Sequence, residues 1–172
     1  MFKNLGQSYS KKKHLKKKGN RSFVEIASAK TAGILINNLK KNHLVLETLV
    51  KNLVDYGIKP IVLTYLDKNE PFNSKQCDLA LSKKDFNWLG QIHKAEIKKF
   101  INSPFDYLIC LNTSPFLPFE NILAQSNSKC RVGIRHPENA NCYELTIGIE
   151  GEKNIAKSSH EIVRYLKMIK TR

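Results

Sequence analysis

Residues 32–66 read AGILINNLKKNHLVLETLVKNLVDYGIKPIVLTYL, and this stretch decides the fold. Segments 32–37 and 59–66 are apolar runs of the length of buried strands, and 41–56 between them has its apolar residues at helical spacing. Gly57 is placed to end that helix, because glycine readily adopts the left-handed conformation that closes helices. A strand, a helix and a second strand in this order predict a parallel βαβ unit with a right-handed crossover.

The alternation of strands and helices continues beyond this unit. We predict further strands at 77–81, 106–111, 130–134 and 143–149, and helices at 82–88, 94–101, 118–125 and 153–170. Such alternation is typical of an α/β domain. The sequence therefore predicts one Rossmann-like three-layer domain over residues 22–172, built on a mostly parallel sheet of about five strands.

Upstream of this domain, residues 1–21 form a strongly basic segment. It contains eight Lys or Arg side chains and no carboxylate, and it supplies +8 of the formal net charge of +14. A run of like charges repels itself and buries little apolar surface, so we predict a disordered, flexible arm. Deleting such an arm is expected to leave the melting temperature nearly unchanged.

The phosphate backbone of RNA is the partner that this charge favours, because each lysine on a phosphate releases condensed counterions. An acidic membrane surface and a merely solubilising tail are the alternatives. If all eight side chains contact phosphates, log affinity should fall with log salt at a slope of roughly −6 for a single strand. The predicted nucleic-acid-binding residues are Lys3, Lys11, Lys12, Lys13, Lys16, Lys17, Lys18 and Arg21.

A second candidate site follows from the predicted sheet. Ligands of doubly wound folds bind outside the carboxyl ends of the strands, near the point where the strand order reverses. Polar and basic side chains follow the predicted strands there and could bind phosphate or carboxylate beside a helix N-terminus. The same residue types are also common in turns and helix caps. The possible pocket residues are Asn37, Lys40, His43, Asn112, Ser114, Arg135 and His136.

No catalytic or metal site is predicted. The sequence has no dinucleotide-binding or Walker glycine pattern, no G-x-S-x-G and no H-E-x-x-H. The four cysteines are widely spaced, with no C-x-x-C pair. No cofactor is expected. The apolar runs are too short to span a membrane, and no apolar segment of a signal peptide follows the basic N-terminus, so we expect a cytoplasmic protein.

Four segments carry resemblances to known families: 58–63, 82–90, 105–112 and 129–133. Together they look like an uncharacterised family of short α/β proteins from Bacteroidetes, over roughly residues 30–170. More distantly, 105–133 is similar to the amino-terminal half of heptosyltransferase-like glycosyltransferases. Those enzymes bind the nucleotide-sugar with a second Rossmann-like half, which we do not expect here. The resemblance therefore implies a fold and no reaction, and no catalytic residue carries over.

These observations favour a non-catalytic RNA-binding accessory protein, associated with the ribosome or another ribonucleoprotein. In this interpretation the basic arm follows phosphates and the domain, which itself carries +6, docks on the same surface. The first alternative is a small-molecule enzyme or sugar-phosphate binder that uses the residues at the strand ends. The second is an adaptor that binds protein partners, whose identity the sequence does not indicate, and carries a solubilising tail.

Overall fold

The computed structural model describes residues 2–15, 21–67, 72–138, 140–148 and 155–171. The helices are α1 Phe2–Leu15, α2 Leu39–Asp55, α3 Ala95–Asn102, α4 Leu117–Gln125 and α5 Ile155–Met168. The strands are β1 Thr31–Ile36, β2 Lys59–Leu66, β3 Leu79–Ser82, β4 Tyr107–Cys110, β5 Cys130–Ile134 and β6 Leu145–Ile147. Short 3-10 turns lie at Lys83–Asp85 and Ala140–Cys142. No helix in the described ranges is long and apolar enough to cross a membrane.

The six strands form one parallel sheet in the order β3-β2-β1-β4-β5-β6. The predicted Rossmann-like α/β fold is confirmed, with six strands where about five were expected. The predicted βαβ unit is β1-α2-β2, and its parallel register pairs Ile34 with Val62. The order reverses between β1 and β4, so the carboxyl ends of these two neighbouring strands mark the switch point.

Helices cover both faces of the sheet. On one face, α2 and α5 bury leucine, isoleucine and valine side chains against the strands. On the other face, α3 and α4 do the same with isoleucine, leucine and phenylalanine side chains. β1, β4 and β5 are covered on both sides, which explains why these strands are apolar at nearly every position. The switch point therefore lies between two layers of helices.

The predicted helix over 82–88 is wrong beyond the 3-10 turn at Lys83–Asp85. Asp85 accepts a hydrogen bond from the backbone N–H of Ser82 at 2.7 Å, as a helix start would require. Phe86 then adopts an extended conformation and is buried in the core. It pairs with Ile92 in an antiparallel bridge. Burial of Phe86 in the core thus turns a sequence with a helix-start signal into a small hairpin.

The sixth strand is shorter than predicted, spanning Leu145–Ile147 where 143–149 was expected. Tyr143 is buried against Gly133, where a Cβ atom would lie 2.3 Å from the tyrosine ring. The Tyr143 side chain therefore packs in the core against β5, and the residue lies before the start of β6. Residues 149 and 153–154, which were expected in β6 and in the last helix, lie outside the described residues.

Candidate functional site

The basic N-terminal segment begins as a helix that packs on the domain. Helix α1 lies against α4, and Gln7 and Ser10 on its inner side are buried. Residues 2–15 thus form a docked helix in this structure, which differs from the flexible arm predicted over residues 1–21. Disorder was predicted from the high charge of this segment. The inner side of α1 nevertheless carries glycine, amide and hydroxyl groups, which can approach another backbone closely. Lys16, Lys17 and Lys18 lie outside the described residues, as does the side chain of Lys3.

Lys11 forms an ion pair inside the protein. Its Nζ donates to Oε2 of Glu120 at 2.8 Å, and the two side chains are only 16% and 7% exposed. Glu120 lies in the first turn of α4. Moving Lys11 to a phosphate would leave the Glu120 carboxylate buried and without a counter-charge, which is costly. We therefore remove Lys11 from the predicted phosphate-binding set.

Arg21 also forms hydrogen bonds within the protein. Its guanidinium donates to the carbonyl oxygen of Ser126 at 2.7 Å and to that of Ser128. Burial and the neighbouring Arg131 lower the pKa of Arg21, and Glu144 raises it. These contacts attach the start of the domain to the segment before β5. Arg21 therefore has a structural role in this fold, and its prediction as a nucleic-acid contact stays a prediction.

A close contact between two backbones positions α1. A Cβ atom on Gly6 would lie 2.5 Å from the carbonyl oxygen of Trp88, and one on Gly90 would lie 2.2 Å from the backbone nitrogen of Gln7. Gly90 also has a φ of +73°, which favours glycine. Asn121 of α4 donates to the Gly90 carbonyl at 2.8 Å. The hairpin, α1 and α4 therefore meet at Gly90, with room only for hydrogen atoms.

The hairpin presents the only tryptophan of the chain to solvent. The N–H of Gly90 donates to the Asn87 carbonyl at 3.0 Å, closing a four-residue turn. Phe86 and Ile92 are buried at the two ends of the hairpin, whereas Trp88 at its tip is 73% exposed. Trp88 was not among the binding residues predicted from the sequence. The signal that could have indicated it is a large aromatic residue inside the turn pattern NWLG.

The two elements that meet at this contact carry exposed aromatic and basic side chains. On the outer side of α1, Tyr9 is 68% exposed, and Lys12 and Lys13 are exposed as well. We call Tyr9, Lys12, Lys13 and Trp88 the basic aromatic surface. Lys84 is exposed in the 3-10 turn just before the hairpin. These positions combine cations with flat apolar rings, the two groups that a nucleic-acid strand contacts.

Two nearby carboxylates have partners within the protein, and one of the two partners is a cation. Asp85 accepts from the N–H and the hydroxyl of Ser82 at 2.7 and 2.9 Å, and Glu120 accepts from Lys11. Helix α1 itself contains no acidic residue. Asp85 therefore keeps its negative charge beside Lys84, whereas Lys12 and Lys13 are exposed on a helix without carboxylates.

Three of the predicted pocket residues follow adjacent strands at the switch point. The register pairs Leu35 with Cys110 and Cys110 with Gly133. Asn37, Asn112 and Arg135 each lie two residues beyond these positions, so the structure places them in one row at the carboxyl edge of the sheet. Arg135 is exposed, Asn37 is half-buried and Asn112 is only 4% exposed.

Asn112 has an unusual environment. Neither atom of its side-chain amide has a hydrogen-bond partner in the described part of the chain. A buried amide without partners costs free energy of the order of 1–3 kcal/mol, so such groups usually bind water or a ligand. Asn112 is therefore the strongest indication of a polar ligand at the strand ends.

The other predicted pocket residues lie outside this row. Lys40 is exposed in the first turn of α2, and Ser114 is exposed in the loop after β4. Nδ1 of His136 accepts from the backbone N–H of Glu138 at 3.3 Å, which supports the local turn. His43 lines a cavity of about 310 Å³ with Cys77 and Asp78, to the side of α2. The predicted cluster is thus a row of three residues with basic neighbours.

All four cysteines are buried, and none forms a disulfide. Burial raises the pKa of Cys110 to about 11 and that of Cys130 to about 12, so both thiols stay protonated at neutral pH. Burial also raises the pKa of Cys142. Within the described ranges, no group of three or more His, Cys, Asp or Glu side chains is placed to hold a metal ion.

Comparisons with known proteins place the chain in a family. A search of curated proteins finds no match. The predicted likeness to heptosyltransferases and the predicted source in Bacteroidetes stay predictions. The sequence model of a family of unknown function (DUF6913) matches residues 3–169, and this range includes α1 together with the whole sheet. Since that match covers nearly all of the sequence, the chain belongs to this family of unknown function.

Proposed function

We propose that this protein is a non-catalytic, cytoplasmic RNA-binding accessory of a ribonucleoprotein such as the ribosome. The observation that carries the proposal is the docked position of α1, which contacts the Trp88 hairpin at Gly6 and keeps Lys12 and Lys13 exposed. Held on a folded surface, these lysines lose less conformational entropy on binding than they would in a free arm. The remaining lysines of the N-terminal segment extend the same basic region along the sequence.

The contacts that Lys11 and Arg21 make within the protein change the salt dependence expected for RNA affinity. Removing these two from the eight predicted contacts leaves six. At about 0.7 per phosphate contact, six contacts give a slope of log affinity against log salt of roughly −4 for a single strand, shallower than the −6 expected from sequence.

Replacing Lys12 and Lys13 together with Gln is expected to flatten this slope by about 1.4, because two phosphate contacts are lost. The helix should be retained, since Gln is a good helix former. The measurement is fluorescence anisotropy of a labelled structured RNA at several salt concentrations.

The matched control replaces Lys51 and Lys59 with Gln, which removes the same charge from exposed positions on α2 and at the start of β2. Equal slopes for the two double variants would show that only net charge acts, and would contradict a localised interface. Absence of any RNA binding by the wild-type protein at low salt would reject the proposed function.

Asn112 favours a second candidate function, a binder of sugar phosphates or similar phosphorylated small molecules at the strand ends. This candidate also agrees with the likeness to half of a glycosyltransferase that was predicted from the sequence. Arg135 and the N-terminus of α2, with Lys40 in its first turn, would supply positive charge, and the Asn112 amide would supply a donor and an acceptor. The strand order puts these groups where doubly wound folds bind ligands.

Replacing Lys40 and Arg135 together with Ala is expected to abolish binding of a phosphorylated ligand while leaving folding intact, because both side chains are exposed. A thermal-shift screen of phosphorylated metabolites on the wild-type protein identifies the ligand, since a bound ligand raises the melting temperature. The variant is then tested with each hit, beside a control with Lys98 and Lys99 of α3 replaced by Ala. A screen without hits would contradict this second candidate.

A further inference from the structure

We propose that Tyr9 and Trp88 form a stacking platform for unpaired bases, so that the basic aromatic surface binds single-stranded RNA in preference to duplex RNA. This inference rests on the proposed RNA-binding function and specifies which form of RNA the surface recognises. It is carried by the exposure of the two rings, by the backbone contact between the elements that carry them and by the charge around them.

The hairpin holds Trp88 outward in a defined position. Besides the turn hydrogen bond to Gly90, the Asn87 side chain accepts from the Gln91 N–H at 2.9 Å and donates to the Gln91 side chain at 3.0 Å. The buried residues Phe86 and Ile92 attach both ends of the hairpin to the core. An exposed indole on a backbone fixed in this way loses little entropy when a flat ligand stacks on it.

The two rings belong to neighbouring elements. The carbonyl of Trp88 faces Gly6 at the closest approach of the hairpin to α1, as the contact distance of 2.5 Å to a Gly6 Cβ shows. Tyr9 follows Gly6 by three residues, about 4.5 Å further along the helix axis. Both side chains are strongly exposed. Consecutive bases of a flexible strand can therefore reach one ring and then the other.

The charge around the rings matches a nucleic-acid strand. Lys12 and Lys13 follow Tyr9 along α1, and Lys84 precedes Trp88. Stacking on an aromatic ring needs a base whose face is free. In an A-form duplex the base faces are stacked on one another, so only the phosphates would meet this surface. The aromatic pair would thus add affinity for single strands alone.

The test uses the single tryptophan as a direct probe. The full-length protein is titrated with oligoadenylate of about ten nucleotides, a length within the usual site size, and with an RNA duplex of equal length. We expect the single strand to quench Trp88 fluorescence and the duplex to bind with little quenching. Binding of labelled RNA is followed in parallel by anisotropy.

Trp88→Ala is expected to weaken binding of the single strand about tenfold and to leave duplex binding unchanged, because one stacked base is lost. Trp88→Phe keeps a ring and should retain most of the affinity. Tyr9→Ala should reproduce the selective loss. Since both side chains are exposed, the variants should keep the wild-type melting temperature.

Two results would overturn the inference. If the single strand binds without quenching Trp88, or if Trp88→Ala weakens both RNAs equally, the rings do not stack on bases, although the protein still binds RNA. If neither RNA binds the wild-type protein, the proposed function fails together with the inference.

Discussion

Replacing Ile109 with Asp is expected to prevent stable folding. Ile109 lies in β4 between β1 and β5 and is fully buried in the layer under α2 and α5. An unpaired carboxylate there would lose its hydration without gaining a partner. That penalty is comparable with the whole stability of a typical domain, about 5–15 kcal/mol. Circular dichroism and thermal melting of the purified variant provide the measurement.

The matched control is Leu44→Asp on α2, because Leu44 is 65% exposed. This variant introduces the same charge and should melt within a few degrees of the wild type. A cooperative transition at the wild-type temperature for Ile109→Asp would contradict the central position of β4.

Replacing Lys11 with Ala is expected to destabilise the protein by about 3–5 kcal/mol, because it leaves the buried Glu120 carboxylate without its cation. For a domain of this size, each 1 kcal/mol corresponds to roughly 2–4 °C in melting temperature. We therefore expect a large drop in the melting temperature, accompanied by protease cleavage within α1. Chemical denaturation and limited proteolysis provide the measurements.

Lys12→Ala serves as the control, since Lys12 is exposed and one residue away. The double variant Lys11→Met with Glu120→Leu should recover most of the lost stability, as apolar residues of similar size replace the pair. Wild-type stability of Lys11→Ala would show that α1 does not dock through this pair. From the sequence, deletion of residues 1–21 was expected to leave the melting temperature nearly unchanged. Because α1 is docked on the domain, we now expect this deletion to lower the melting temperature.

Much of the fold was predictable because its signals are local. The βαβ unit, the strands near 106–111 and 130–134, and the helix near 118–125 are visible in apolar spacing and turn residues alone. The predictions failed where a distant contact decides the conformation. Burial of Phe86 in the core ends the helix predicted at 82–88, and Glu120, 109 positions away from Lys11, neutralises a charge in the segment predicted to be disordered.

The candidate sites were likewise predictable where the signal is local and were missed where a distant contact decides. The strand ends were identified from sequence, since any parallel sheet brings its carboxyl ends to one edge, and Asn37, Asn112 and Arg135 lie there in a row. The pairing of Tyr9 with Trp88 was not identified. The two residues are 79 positions apart, and the contact between Gly6 and Gly90 joins the elements that carry them.

The sequence by itself determined the fold class and the excess of positive charge, because apolar periodicity and composition are properties of the chain before it folds. The tertiary structure decided which cations are available to a ligand. Lys11 and Arg21 are held by Glu120 and by backbone carbonyls, whereas Lys12 and Lys13 face solvent. Lys11, Lys12 and Lys13 are adjacent and cannot be distinguished from the sequence alone. They differ because one side of α1 is dehydrated against α4, where a charge requires a partner, and the other side stays in water.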